Sequence, residues 1–228
     1  MISTAAGVAR LRRSGRRTLA ISVLPDGTLE LLAPRHATND QIAQRVDKRR
    51  PWISRQRRLF KELNPGNPPR RYVSGATHRY LGRQYRLKVS RSLPPTASLR
   101  GALLRVNVAE NDEDKVRKVL ESWYRERARS QFTARLEKWH SWCSARKLPA
   151  PRLRLVAMAK RWGSALPDGT IRLNPDLVRA PSACIDYVIT HEICHLKHPN
   201  HGPAFWRLLD QLCPSWRKLK VRLERMEG

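Results

Sequence analysis

His191-Glu192-Ile193-Cys194-His195 lies within residues 183–197, a helical pattern that Pro199 through Pro203 interrupts. Spacing of i, i+4 puts His191 and His195 on one face, one turn apart, where both imidazoles reach one metal ion. Glu192 is rotated about 100° from His191, off the ligand face. It can still contact a water beside the ion, which is the position of a general base. His201 stands six residues beyond His195, after Pro199-Asn200 has ended the helix. A chain that turns back there presents a third imidazole to the same ion. Three protein donors with one position open are what catalytic zinc requires. His198 can approach the site or simply sit at the helix end, and the second is the simpler reading. Cys194 lies off the two-histidine face and reads as a small packed hydrophobe.

Metal and glutamate together define a chemistry. The ion lowers the pKa of bound water and polarises a carbonyl, while Glu192 takes the water proton and passes it to the leaving amine. That is peptide-bond hydrolysis without a covalent intermediate. The same apparatus can attack a phosphoanhydride, which makes a metal-dependent nucleotide pyrophosphatase or phosphohydrolase the second reading, with arginines as phosphate contacts. A structural zinc site fits the free glutamate poorly. A non-enzymatic nucleic-acid-binding protein is the third class, but the chain shows no helix-turn-helix or zinc-finger signature.

Upstream, residues 17–33 alternate apolar and polar on either side of Asp26-Gly27, which predicts two strands joined at Pro25-Asp26-Gly27. Thr38 with Gln41 forms a capping box that opens a basic helix through Ile42 and Val46. Pro51 starts a new turn or a kink, and Trp52, Ile53 and Leu59 continue the apolar stripe. Asn64-Pro-Gly-Asn-Pro-Pro69 is a break. Residues 78–89 and 102–108 read as strands. A long helix starts at Asn111 or Asp112, with Val116, Leu120, Trp123, Phe132, Leu136 and Trp139 as its core stripe. Residues 153–157 and 169–173 read as strands around a loop at Trp162–Asp168. Ser182 caps the 183–197 helix, Pro203 opens the next over 203–212, and a last short helix follows Pro214. No internal repeat is legible.

The expected fold is therefore α+β, with a mainly β, basic region over 1–110 that includes one basic helix. Residues 111–228 follow with the H-E-x-x-H helix and a small sheet. The two regions stand apart or form one continuous domain.

The chain has 228 residues, with 46 Lys and Arg against 19 Asp and Glu, a formal charge of +27. The excess is +11 over residues 1–71, +10 over 72–150 and +6 over 151–228, so it is lowest where the metal-site pattern lies. Such a field attracts polyanions by a salt-sensitive force, and nucleic acid is the leading candidate partner besides a protein or peptide substrate. Seven tryptophans speak against a disordered chain. No apolar run is long enough for a membrane span, and the first 25 residues lack the apolar core of a secretory signal. The four cysteines form no C-x-x-C pair, so a reducing cytoplasm is the simplest setting.

Several segments then carry a resemblance. R-W-G-S at 161–164, G-T-I-R-L-N at 169–174, D-Y-V-I-T-H-E-I-C-H-L-K-H at 186–198 and N-H-G-P-A-F-W at 200–206 resemble the YgjP-like metallopeptidases. R-R-T-L-A-I-S-V-L-P-D-G-T at 16–28 and Y-L-G-R-Q-Y-R-L at 80–87 extend the likeness over nearly the whole chain. That family is related to the SprT-like and WLM zinc metallopeptidases. The resemblance implies a zincin-like core, a Zn2+ site from His191, His195 and His201, and Glu192 as catalytic base. By the same analogy, strand 169–174 borders the cleft and holds an extended substrate, and Arg161 and Trp162 line the cleft or form a packing corner. Two features depart from known patterns. Ala165 stands where the family often has cysteine. The histidine spacing equals that of metzincins, but His198 replaces their glycine and no Met-turn follows, so that class is rejected. The SprT-like relatives act on proteins bound to DNA, and the +27 charge is compatible with that role.

Overall fold

The computed structural model describes residues 2–15, 18–23, 27–63, 70–158 and 161–226, the side chains of 59–63 excepted. Pro25 and Asp26 of the expected turn, the side chain of Leu59 and the break at 64–69 lie outside the described residues. The chain is α+β and forms two compact units, Met1–Pro68 with Glu224–Gly228 and Pro69–Leu223. The units divide after Pro68.

The first unit holds β1 (Ile2–Thr4), β2 (Gly7–Ser14), β3 (Ala20–Val23) and β4 (Leu29–Pro34), then α1 (Asn39–Lys48) and α2 (Arg50–Leu63). The sheet runs β1-β2-β4-β3, with β2 and β4 parallel and the other pairs antiparallel. Neither β1 nor β2 was read from the sequence, because Arg10, Arg12 and Arg13 hide the alternation of Ala9 and Leu11. Ala9, Leu29, Leu31, Ala33, Ile42, Val46 and Ile53 form the core. The Thr38–Gln41 capping box forms as expected. Trp52 does not join the stripe; it is 38% exposed.

The second unit opens with β5 (Thr77–Tyr80), β6 (Arg83–Arg91), β7 (Thr96–Arg100) and β8 (Leu103–Val108) in the order β5-β6-β8-β7, with β6 and β8 parallel. The two four-stranded sheets share one topology. This topological repeat has no counterpart in the residues. The single strand expected over 78–89 is a hairpin, turned by Leu81 and Gly82 at positive φ. β7 was not anticipated.

The long helix α3 (Glu113–Glu137), capped by Asp112, buries Val116, Leu120, Trp123, Tyr124, Phe132 and Leu136. It packs on β7, β8 and on β9 (Arg152–Leu155), after α4 (His140–Ser144). Trp139 lies beyond its end, half-buried against Trp142. β10 (Gly163–Ala165) forms within the expected loop and pairs antiparallel with β11 (Thr170–Leu173), which is parallel to β9 on its other side. A 3-10 turn at Pro175–Arg179 leads into α5 (Ser182–Lys197), followed by α6 (Pro203–Leu212) and α7 (Trp216–Glu224). Ser182 is the first helical residue and makes no cap; Pro181 occupies that position. No described helix is long and apolar enough to cross a membrane.

Candidate active site

Helix α5 is the centre of the second unit. Ile185, Val188, Ile189, Ile193 and Cys194 are buried around most of its circumference, as expected of a helix enclosed by other elements. It contacts α3, α6, β10 and the 3-10 turn. His191 and His195 project from its last two turns, half-buried, and His201 comes from the loop before α6. One ligand atom from each of the three lies within 4.8 Å of the others. The Nε2 atoms of His191 and His201 are 3.1 Å apart. Two nitrogens held by one tetrahedral zinc are about 3.3 Å apart, so the donor set fits that ion.

The loop that delivers His201 also orients His195. His198 leaves the helix in extended conformation, its N–H donating to the Cys194 carbonyl. Its own carbonyl lies 3.1 Å from His195 Nδ1, which donates to it. That bond fixes the tautomer that leaves Nε2 free as a ligand. His198 therefore serves through its backbone, and its side chain is not in the cluster.

Phe205, fully buried at the start of α6, is the floor of the site. Its ring centroid lies 5.0, 4.5 and 4.7 Å from those of His191, His195 and His201. Burial pushes His191 down to about 3, with His195, His201 and Lys220 adding to the effect. His201 shifts in the same direction for the same first cause. Both rings are thus held as free bases, the form that ligates metals. Among the described residues, His191 Nδ1 is buried without a hydrogen-bond partner.

Glu192 is 6% exposed and lies along β10. Burial raises it to about 8; the Arg161 charge and a hydrogen bond from the Ala165 backbone N–H favour the carboxylate. A Cβ at Gly163 would stand 2.7 Å from Glu192 Oε1 and 2.8 Å from Cγ, so only glycine admits this approach. Trp162 forms a backbone corner, its carbonyl accepting from the Asn174 N–H at 2.8 Å. Strand 169–174 cannot take up an extended substrate, because β11 is paired on both edges by β10 and β9.

Sequence reasoning missed Gly163, the His198 carbonyl, Phe205 and Trp206. Only the adjacent aromatics of Gly202-Pro-Ala-Phe-Trp206 offered a signal.

A family model described as YgjP-like, metallopeptidase domain, matches residues 17–226. Among solved structures, the chain is similar to the crystal structure of the metallopeptidase zymogen of Pyrococcus abyssi abylysin. The identity is 21% and the TM-score 0.36, over 40% of this chain and 90% of that one. A search of the curated proteins gives no match.

Proposed function

The chain belongs to the YgjP-like metallopeptidase family, and from that premise we propose that it hydrolyses peptide bonds with a zinc ion held by His191, His195 and His201. The observation that carries this reading is the convergence of three imidazoles, two of them on the helix that bears the buried Glu192 carboxylate. Bound there, zinc supplies Lewis acidity, which lowers the pKa of water and polarises the scissile carbonyl. Glu192 acts as general base, accepting a proton from water and returning it to the leaving amine. The Ala165 N–H and the Arg161 charge favour its ionised form against the cost of burial.

An extended substrate segment adds to β10, the strand of its sheet that lies against Glu192 and is paired on one side only. Arg161 borders that strand. The core is zincin-like in its helix-borne ligands and base. Proteins carried on nucleic acid suit the substrate side of this reading, because the +27 charge draws polyanions toward the chain. A reducing cytoplasm remains the compartment that suits four free cysteines.

The test pairs metal analysis with assays against denatured protein and nucleoside triphosphates. Wild type should hold about one zinc per chain and cleave protein. Glu192→Gln should keep the metal and lose turnover, whereas His201→Ala should weaken metal binding. Turnover of triphosphates alone would replace peptidase with phosphohydrolase.

A further inference from the structure

In the first unit, residues 45–58 carry seven bases and one acid. Two arginines of the unit hold its helices to its sheet. Arg57 donates to the carbonyls of Gly27 at 3.0 Å and Ala6 at 2.6 Å. Arg13 donates to the Ala37 carbonyl and, at 2.8 Å, to Asn39 Oδ1. The other cations of the α1–α2 corner behave differently. Arg45, Lys48, Arg49, Arg50, Arg55 and Arg58 are all exposed, and among the described residues none makes a side-chain hydrogen bond or ion pair.

Trp52 stands within this cluster. Ile53 anchors α2 in the core, so helical spacing turns Arg55 and Arg58 outward and sets Trp52 on the flank beside Arg55. An exposed indole among cations without partners is what a flexible polyanion with aromatic rings requires. Phosphates meet the guanidinium and ammonium groups, and a base stacks on the ring. An anionic membrane would need an apolar stripe. The large exposed hydrophobics described in this unit are Val8 and Trp52, and Val8 is on β2 rather than on a helix.

We infer that the α1–α2 corner binds single-stranded nucleic acid, with Arg55 and Arg58 on phosphates and Trp52 stacked on a base. This surface goes beyond the peptidase site and involves none of its residues.

The experiment uses the full chain and a fluorescein-labelled oligothymidine of about 20 nucleotides, read by anisotropy from about 50 to about 200 mM salt. Affinity should fall with salt at a log–log slope of about −3, as for roughly four phosphate contacts. Arg55→Glu with Arg58→Glu should lower affinity at least about tenfold and flatten that slope. Trp52→Ala should lower it about tenfold for the single strand, with Trp52→Phe restoring most of it and duplex binding unchanged. All three positions are exposed, so the thermal midpoint should match wild type. Binding untouched by the arginine pair would overturn the inference. So would equal loss on duplex for Trp52→Ala, or Trp52-dependent binding to phosphatidylserine vesicles without binding to the oligonucleotide. None of these readouts is proteolysis, so a failed peptidase assay and a failed binding assay are distinguishable.

Discussion

The ring of His201 lies stacked on that of Trp206, with centroids 5.4 Å apart and planes inclined by 23°. Trp206 stacks in turn on Trp216 at 4.9 Å, and the Arg217 guanidinium lies over the Trp216 ring at 4.6 Å. Asp210 accepts from both Trp216 Nε1 and Arg217 at 2.7 Å, which ties the outer end of the stack to α6. His201 is the one imidazole of the three that a loop supplies. Helix geometry aims His191 and His195, whereas His201 depends on this aromatic column.

Trp206→Ala should therefore weaken zinc affinity about tenfold or more, the range seen when groups that orient a ligand are removed. Trp206→Phe should recover most of it. Competition with a chromophoric chelator measures this without any assay of turnover. Unchanged affinity in the alanine variant would remove the stack from the site.

Gly163→Ala should cost activity rather than metal. The added methyl would meet the carboxylate and Cγ of Glu192, so either the base or β10 must move. A displacement of that kind is expected to lower kcat on the order of a hundredfold. Zinc content by elemental analysis should stay at the wild-type level.

Arg161 bears on the pH profile. Its charge favours ionised Glu192, and burial opposes it. As the proposed general base Glu192 acts deprotonated, so activity is expected to rise as pH passes upward through its pKa. Arg161→Met removes the favouring charge, and the acidic limb of kcat/KM should move to higher pH. A limb that stays in place or moves down would refute the coupling.

His78 gives a stability prediction away from the site. It is 3% exposed, its Nε2 donates to the Arg71 carbonyl at 3.0 Å, and burial, then the charges of Arg179 and Arg70, lower it from 6.5 to about 4. The unfolded chain binds the proton first on acidification, so this group's contribution is complete above pH 6.5 and is lost as pH falls toward 4. From pH 7 to pH 5, wild type should lose up to about 2 kcal/mol more than His78→Gln. Urea midpoints of both chains, measured with chelator present, provide the comparison.

Much of this was legible because it is local. Thr38 and Gln41 cap a helix through atoms three residues apart, and the i, i+4 histidines share a face wherever such a helix packs. What the sequence does not show is mostly non-local. β2 hides among arginines because its partner β4 lies some twenty residues away. The Tyr80-Leu-Gly-Arg83 turn reads as a continuous strand until Leu81 and Gly82 donate to the carbonyls of Val178 and Arg179. β10 is three residues long and offers no alternation to detect.

The sequence alone determined that His191 and His195 share one helix face with Glu192 rotated off it, because residue identity and spacing along one helix set this. It also set the charge. Only the tertiary structure decided how the donors are held: Phe205 beneath the three rings, the His198 carbonyl on His195, Trp206 behind His201, and β10 rather than β11 against Glu192. The reason is physical. Ligand spacing follows covalent geometry and helical pitch, which one segment fixes, whereas burial, orientation and sheet edges arise when segments distant in the chain pack together.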